Sequence, residues 1–454
     1  MQATLGATAF QSDAGRPGPF LAYTAAIVLV VCGPCAGAAQ RTVSTTAELE
    51  TTIAASKPGD VVRLLPGEYV LNRSLQVPDG VSLTGDGRMA VDSSGFPSGM
   101  DPASAPTIRA ADSLAADLVQ LGNRTSLRGL RVVVPDKLVE GQRVPSGNAV
   151  ALVSRRPADR VAAEIRNTEI VTGSPYGANA DGPNGRGIML ATRNPVAEPS
   201  HVGAQLRLKV DYCLVRAPYG NALFANNFAA EGVVILDVRR SAVEGMTNVS
   251  GGTGRPDPVN GARTIFRSKD TRYYRNGDDL DRYGWQIYAG TGIPNPSVGT
   301  TASGPVHVET RVDSSGDRIE GFRVAVMAAG HRRVADFSTA GADNRLELRM
   351  HDTIIQSTGD GAVDLSLHGA ISESAPRGSL VLSPGERNVV RAELVRVHGS
   401  GPRANFYSNR TLPGSTTDGD DGNRVTITGS ARAFAKSNPS LLPPPPTAAF
   451  EATP

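Results

Sequence analysis

The chain has 454 residues, with 46 Lys and Arg against 44 Asp and Glu, a formal net charge of +2, 40% hydrophobic and 5% aromatic residues, 50 Gly and 32 Pro. So small a net charge argues against a global field that would collect nucleic acid or a membrane surface, so any electrostatic function must come from a local patch. Few aromatics with abundant Gly and Pro argue against a helical bundle and for many tight turns around small aliphatic residues.

The first stretch, residues 1–38, reads as a signal peptide. Phe20 to Val31 is apolar yet too short to span a bilayer, and Ala36-Gly37-Ala38 has the small-x-small pattern of a cleavage site, so cleavage is expected near Ala38 and the mature protein is expected to be secreted or periplasmic. A lipid anchor at Cys32 is the less favoured reading, because Val31 is bulky where a small residue is usual. Cys32 and Cys35 leave with this leader. Only Cys213 stays, in an apolar run, which excludes a disulfide framework and a thiolate metal site and predicts a buried, inert thiol.

Thr45 to Gly87 organises the rest. Thr45 and Glu48 have the spacing of a capping box, and Leu49 and Ile53 fall on one face of the short helix that follows. Lys57-Pro58-Gly59-Asp60 ends the helix. Short apolar runs come next, Val61 to Leu64, Tyr69 to Leu71 and Val81 to Leu83, separated by Pro66-Gly67, Pro78-Asp79-Gly80 and Gly85-Asp86-Gly87. A helix in front of such strands would cover the open end of a stack of coils. The succession K-P-G-D-x-V-x-L-x-P-G-x-Y and then V-x-L-x-G-x-G resembles the N-terminal entry of the pectin-lyase-like, right-handed parallel β-helix superfamily. That resemblance implies an all-β, single-stranded right-handed parallel β-helix (solenoid) with a short N-terminal capping helix, here over residues 44–436. It leaves function open, since the superfamily hosts lyases, hydrolases, epimerases, esterases, tailspikes and adhesins.

From Leu118 onward a short strand running into a polar corner recurs. The corners are Gly122-Asn123-Arg124, Ser154-Arg155-Arg156, Thr192-Arg193-Asn194, Asn226-Asn227, Gly290-Thr291, His331-Arg332-Arg333, His368 and Asn409-Arg410. One long excursion, from Asn227 to Trp285, leaves room for a further coil. Between corners, alternating segments such as Gln205 to Val215 and Asn344 to Ile355 align apolar on apolar, as the wall of a solenoid requires. Residues 437–454 read as a Pro-rich tail without assigned function.

Two constellations carry chemistry. If the corners are in register, Arg155, Arg193, Arg332 and Arg333 line one edge as carboxylate clamps for a uronate chain; the alternative is a purely structural corner, with Asn ladders satisfying backbone groups. The excursion from Gly251 to Asn295 gathers Asp278, Asp279 and Asp281, candidate ligands of Ca²⁺, with Trp285, the only tryptophan, as a platform for a sugar ring. His331 or Tyr283 is the candidate base. Fragments of a polygalacturonase signature (Asn167-Thr168-Glu169, Gly277-Asp278-Asp279, Gly330-His331, Arg318-Ile319-Glu320) occur in the wrong order and far apart. The sequence therefore points to a secreted β-helix that binds an acidic polysaccharide and carries the ingredients of lyase-type cleavage. The alternative is a non-catalytic surface or carbohydrate-binding solenoid. Nucleic acid and a membrane span are not expected, and oligomeric state is left open.

Overall fold

The computed structural model describes residues 38–144, 146–173, 185–192, 201–254, 259–275, 283–292, 304–333, 341–359, 362–372, 385–399, 404–410 and 422–429. Residues 1–37 of the expected leader, with Cys32 and Cys35, and the Pro-rich residues 437–454 lie outside them. No helix among the described residues is long and apolar enough to cross a membrane.

The chain opens with a strand, Gln40–Val43, and a helix, Thr46–Ala54. Thr45 Oγ1 accepts the Glu48 N–H at 3.2 Å, while the Glu48 carboxylate accepts the N–H groups of Thr45 and Ser44, so the capping box satisfies donors that a helix start leaves unpaired. These hydrogen bonds hold the Glu48 carboxyl below its ordinary range. Leu49 and Ile53 are buried and join one apolar cluster with Val43, Leu64 and Tyr69 of the first coil. The helix thus lays its apolar face on the stack.

Beyond it the strands repeat in triplets that build three walls. The first wall is a twelve-stranded sheet, from Gln40–Val43 and Val61–Leu64 to Val389–Val395 and Arg424–Gly429, every pairing parallel. The second wall runs from Glu68–Leu71 through Arg131–Val134 and Arg272–Tyr274 to His398–Gly399. The third begins at Leu75–Val77 and continues through Val150–Val153, Tyr283–Gly292 and Val324–Arg333 to Ala404–Arg410. Two long strands, Leu214–Asn226 and Ala242–Gly254, bend from the second wall into the third. Each coil visits the walls in this order and pairs with the coil before and after, which makes the chain a right-handed parallel β-helix. Alternation along each strand sends one set of side chains into a shared core and the other set outward.

From Thr125–Arg128 onward the corner between the first and second walls has a constant form. In coil after coil two residues separate the strands, and the first takes a left-handed conformation: Asn167 (φ 45°), Tyr212 (54°), Arg240 (46°), Asp270 (51°), Asp352 (51°) and Arg396 (51°). The second points inward, giving a buried file of Thr168, Cys213, Ser241, Thr271, Asp317 and Thr353. Cys213 is fully buried, and burial pushes its thiol up to about 12, as the inert-thiol reading requires. At the turn entering the first wall, Asn344, Asn388 and Asn423 form a buried amide ladder, each side chain accepting from the backbone or amide of the residue one coil before. The corner ladder expected from sequence therefore exists, on asparagines other than the corner residues singled out above.

The excursion between Asn227 and Trp285 is mostly regular wall. It holds Val233–Arg239, Ala242–Gly254, Arg263–Lys269 and Arg272–Tyr274, with Gly251 and Gly252 inside a third-wall strand. The coil there carries no apolar run in its third-wall strand, M-T-N-V-S-G-G-T-G, and so does not stand out as a repeat in the sequence. Glycine is required there by packing: a Cβ on Gly251 would sit 2.0 Å from Thr310 Oγ1.

Candidate functional site

The third wall is the face where the chain departs from regularity. From Thr125–Arg128 onward the corners between the first and second walls keep two residues, whereas the intervals next to third-wall strands range widely, as between Tyr274 and Tyr283, Gly292 and Glu309, or Ser372 and Gly385. Connections on a rigid stack are where binding groups are usually carried.

The outward side of this wall follows from register. Trp285, Ile287, Val326, Ala328, Leu365 and Leu367 belong to the main core, so their alternates Gln286, Tyr288, Met327, Ala329, Ser366 and His368 face the other way. Tyr288, Ala329 and His368 are consecutive rungs of one column, and the alanine leaves Tyr288 and His368 about 10 Å apart across it. Ser366 Oγ lies 2.8 Å from His368 Nε2. The Arg332 guanidinium sits 4.9 Å over the Tyr288 ring, a cation–π contact that aims its face at the same column. Tyr288, Met327, Ala329 and Ile371 form an apolar cluster of their own, with Tyr283 and Val324 against it. Ser366 and His368 are buried, and Arg332 is the partly exposed member. Further along the face, Asn248 Nδ2 donates to Gln286 Oε1 at 3.1 Å, and Ser250 Oγ meets Thr291 Oγ1 at 3.1 Å.

Several sequence assignments change. Trp285 is not a platform for a sugar. It is fully buried, its ring edge-on to Phe266 at 5.1 Å and to Tyr273 at 5.0 Å, because strand alternation turns position 285 inward. His331 does not face the outside either. Its imidazole is buried at the corner, where Nε2 accepts the Gly341 N–H at 3.2 Å, and a Cβ on Gly341 would come within 2.4 Å of the ring. Arg332, by contrast, lies against the Tyr288 ring.

Arg155 is exposed and, with Arg156, Asp159 and Arg160, lines a depression of about 520 Å³ near the other end of the wall. Five strand spacings, roughly 24 Å, separate its strand from that of Arg332. Arg332 pairs with Thr291 on one side and Ile371 on the other, so no arginine of an adjacent coil stands beside it in register. Tyr283 is half-buried beside Val324. Arg193, Asp278, Asp279 and Asp281 lie outside the described residues, as does the side chain of Arg333. Among the described residues no group of three or more His, Cys, Asp or Glu side chains is placed to hold a metal ion. Sequence reasoning missed Tyr288 and Ser366. A signal existed in the alternation of Asp364, Ser366 and His368 on one strand, which puts all three on one face, although Asp364 is taken by the Ser357 N–H and hydroxyl.

No family model matches this chain, and no curated protein does. Solved structures similar to it include a polygalacturonase from Erwinia carotovora ssp. carotovora (10% identity, 84% of this chain and 97% of that one, TM-score 0.42). Others are a pectate lyase (9%, 85% and 81%, 0.32) and tailspike protein 2 of the Escherichia coli O157:H7 bacteriophage CAB120 (11%, 84% and 40%, 0.36). Likeness at this level is one of fold alone, and by its own hydrogen-bond register the chain is a right-handed parallel β-helix.

Proposed function

We propose that the outer face of the third wall binds an acidic polysaccharide and cleaves it by lyase-type chemistry. The observation that carries this reading is the Arg332 guanidinium stacked on Tyr288, one small residue away from a hydrogen-bonded Ser366–His368 pair on the same face. A guanidinium binds the carboxylate of a uronate, and neutralising that carboxylate acidifies the adjacent carbon acid. His368 then takes the proton from that carbon, the electron pair forms a double bond to the neighbouring carbon, and the glycosidic oxygen leaves with a proton from the Ser366 hydroxyl, which regains one from the His368 imidazolium across their hydrogen bond. Ca²⁺ on the acidic run Asp278 to Asp281 would assist the same neutralisation. Because such proteins act on polymers outside the cytoplasm, the reading goes with the expected export of the chain.

The competing reading is a non-catalytic carbohydrate-binding solenoid, favoured by the burial of Ser366 and His368. Incubation with polygalacturonate or alginate, with and without Ca²⁺, distinguishes them. Ultraviolet absorbance of an unsaturated product is expected from the wild type and is expected to fall at least about a hundredfold in His368→Ala. Arg332→Ala is expected to weaken binding and turnover together. Polymer binding without any unsaturated product leaves the solenoid as a binding module.

A further inference from the structure

The outward face of the first wall is the most regular and most charged surface of the stack. Its eight strands from Arg160–Arg166 to Arg424–Gly429 expose up to four positions each, and these hold thirteen Arg or Lys against seven Asp or Glu. A surplus of six on one face, in a chain whose net charge is +2, means that the remainder is net acidic. Most of the acids present are already engaged, among them Asp237 by Arg207 and Arg267, Glu309 by Arg263, and Glu347 by Arg345 and Arg349. Arg160, Lys209, Arg239, Lys269, Arg391 and Arg424 have no ion-pair partner among the described residues. Arg239 and Lys269 are direct neighbours in register, both exposed, so two like charges face each other across one strand spacing. That juxtaposition is mildly unfavourable by itself, and Asp211, the neighbour of Arg239 in register on its other side, is already held by Arg166 and Arg240.

We infer that this face is a second binding surface for an anionic polymer, separate from the third wall. Cations recur every one to three coils along the stack, with acidic or neutral residues between them in register, so a linear polyanion lying along the wall would reach several of them. A shallow depression of about 350 Å³, lined by Arg124, Glu164, Arg207 and Lys209 and floored by Ala162 and Ala163, gives the array a place for a carboxylate to settle. The chemistry disfavours two other anionic partners. None of the exposed large apolar residues of the chain lies on this wall, so nothing there inserts into a bilayer. No aromatic side chain faces outward among its strands either, so nothing stacks on nucleobases. A uronate polysaccharide remains, and the choice of ligand rests on the proposed function; the wall would hold the polymer while the third wall works on it.

The test is retention of the full chain on immobilised polygalacturonate across a salt gradient, with vesicles containing phosphatidylglycerol as the second arm. Arg239→Glu/Lys269→Glu is expected to weaken binding roughly tenfold and to flatten its salt dependence. Lys57→Glu/Arg88→Glu, an equal charge change away from the first wall, is expected to leave both nearly unchanged, and circular dichroism checks that every variant is folded. Arg332→Ala is expected to keep salt-sensitive retention even where turnover is gone. The inference is overturned if the first-wall reversal leaves retention intact, if the control reversal weakens it equally, if Arg332→Ala alone abolishes it, or if vesicles bind and polygalacturonate does not. Wild type that retains on polygalacturonate without cleaving it sinks the lyase reading and leaves this one standing.

Discussion

Asp317 occupies a position that neighbouring coils give to Thr271 and Thr353, and it is fully buried. Its carboxylate accepts the Thr271 N–H at 2.9 Å and the Ser314 hydroxyl at 2.7 Å, next to two serines, Ser268 and Ser314, that interrupt an otherwise apolar ladder of the first wall. Burial outweighs these bonds and raises the group to about 7. A carboxyl raised in the folded state favours folding most while it is protonated in both states. Its contribution is therefore full below about pH 4, declines as pH rises toward 7, and is gone above, a loss on the order of 4 kcal/mol. Asp317→Asn is expected to flatten this dependence and to raise the thermal midpoint at about pH 8. A midpoint that stays lower than wild type at that pH would contradict a buried charge. Trp285 allows a direct optical check, because it is the only tryptophan. Its emission is expected to be blue-shifted, shielded from acrylamide and unchanged by polysaccharide, and Trp285→Ala is expected to cost about 3 to 5 kcal/mol in denaturant titration. Quenching by added polymer would return it to the surface.

At the scale of elements, the device least expected from the sequence is the hairpin Met89–Val91 and Pro97–Met100, the largest antiparallel departure from the coil path near the start of the stack. It leaves the corner after Ser82–Thr84 and lies over the second wall. Its backbone donates to Asn167 Oδ1 at 3.2 Å and to the Glu169 carboxylate at 2.8 Å, and Met89, Met100 and Ala105 pack on Leu214, Ala242 and Tyr274 of later coils. Its tip reaches furthest through Asp92, 3.0 Å from Arg272, which also pairs with Glu320 and lies 4.7 Å over the Tyr274 ring. One arginine thus ties the first coils to the middle of the stack. Its replacement by alanine is expected to cost about 1 to 2 kcal/mol and to speed limited proteolysis at residues 92–96 while leaving the first wall intact. An unchanged cleavage rate would mean that the apolar contacts hold the hairpin alone.

Across the stack, the three walls divide the work. The first is regular and cationic, and from Thr125–Arg128 onward its corner with the second is held to two residues, the first in the left-handed region and the second in the buried file. The hairpin covers part of the second, over Leu214, Ala242 and Tyr274. The third takes the variable intervals and so is free to gather side chains such as Arg332, Tyr288 and His368 from separate coils. Local irregularity costs a solenoid little, because each coil is held mainly by its two neighbours. Binding groups can accumulate on one wall without loss of the other two.

Much of this was legible from residues alone. The capping box at Thr45 and Glu48, the short strands after Gly59 and the alternation of Gln205 to Asp211 gave a capped helix and two-sided strands, because capping, turn chemistry and period-two burial are local, and the resemblance of Lys57 to Tyr69 to a β-helix entry, with the aligned repeats, made them a parallel solenoid. Cys213 in its apolar run was equally plain. The choice of face was not. Whether Trp285 or Gln286, His331 or Arg332, points outward depends on where a strand bends, and one residue of offset reverses the answer. Register also separated the corner arginines and put Arg239 against Lys269, since residues distant along the chain become neighbours only when the coils stack. The sequence by itself determined the kind of stack; the tertiary structure decided which side chains share a surface, because lateral pairing between coils is set by the packing of the whole core and not by any one strand.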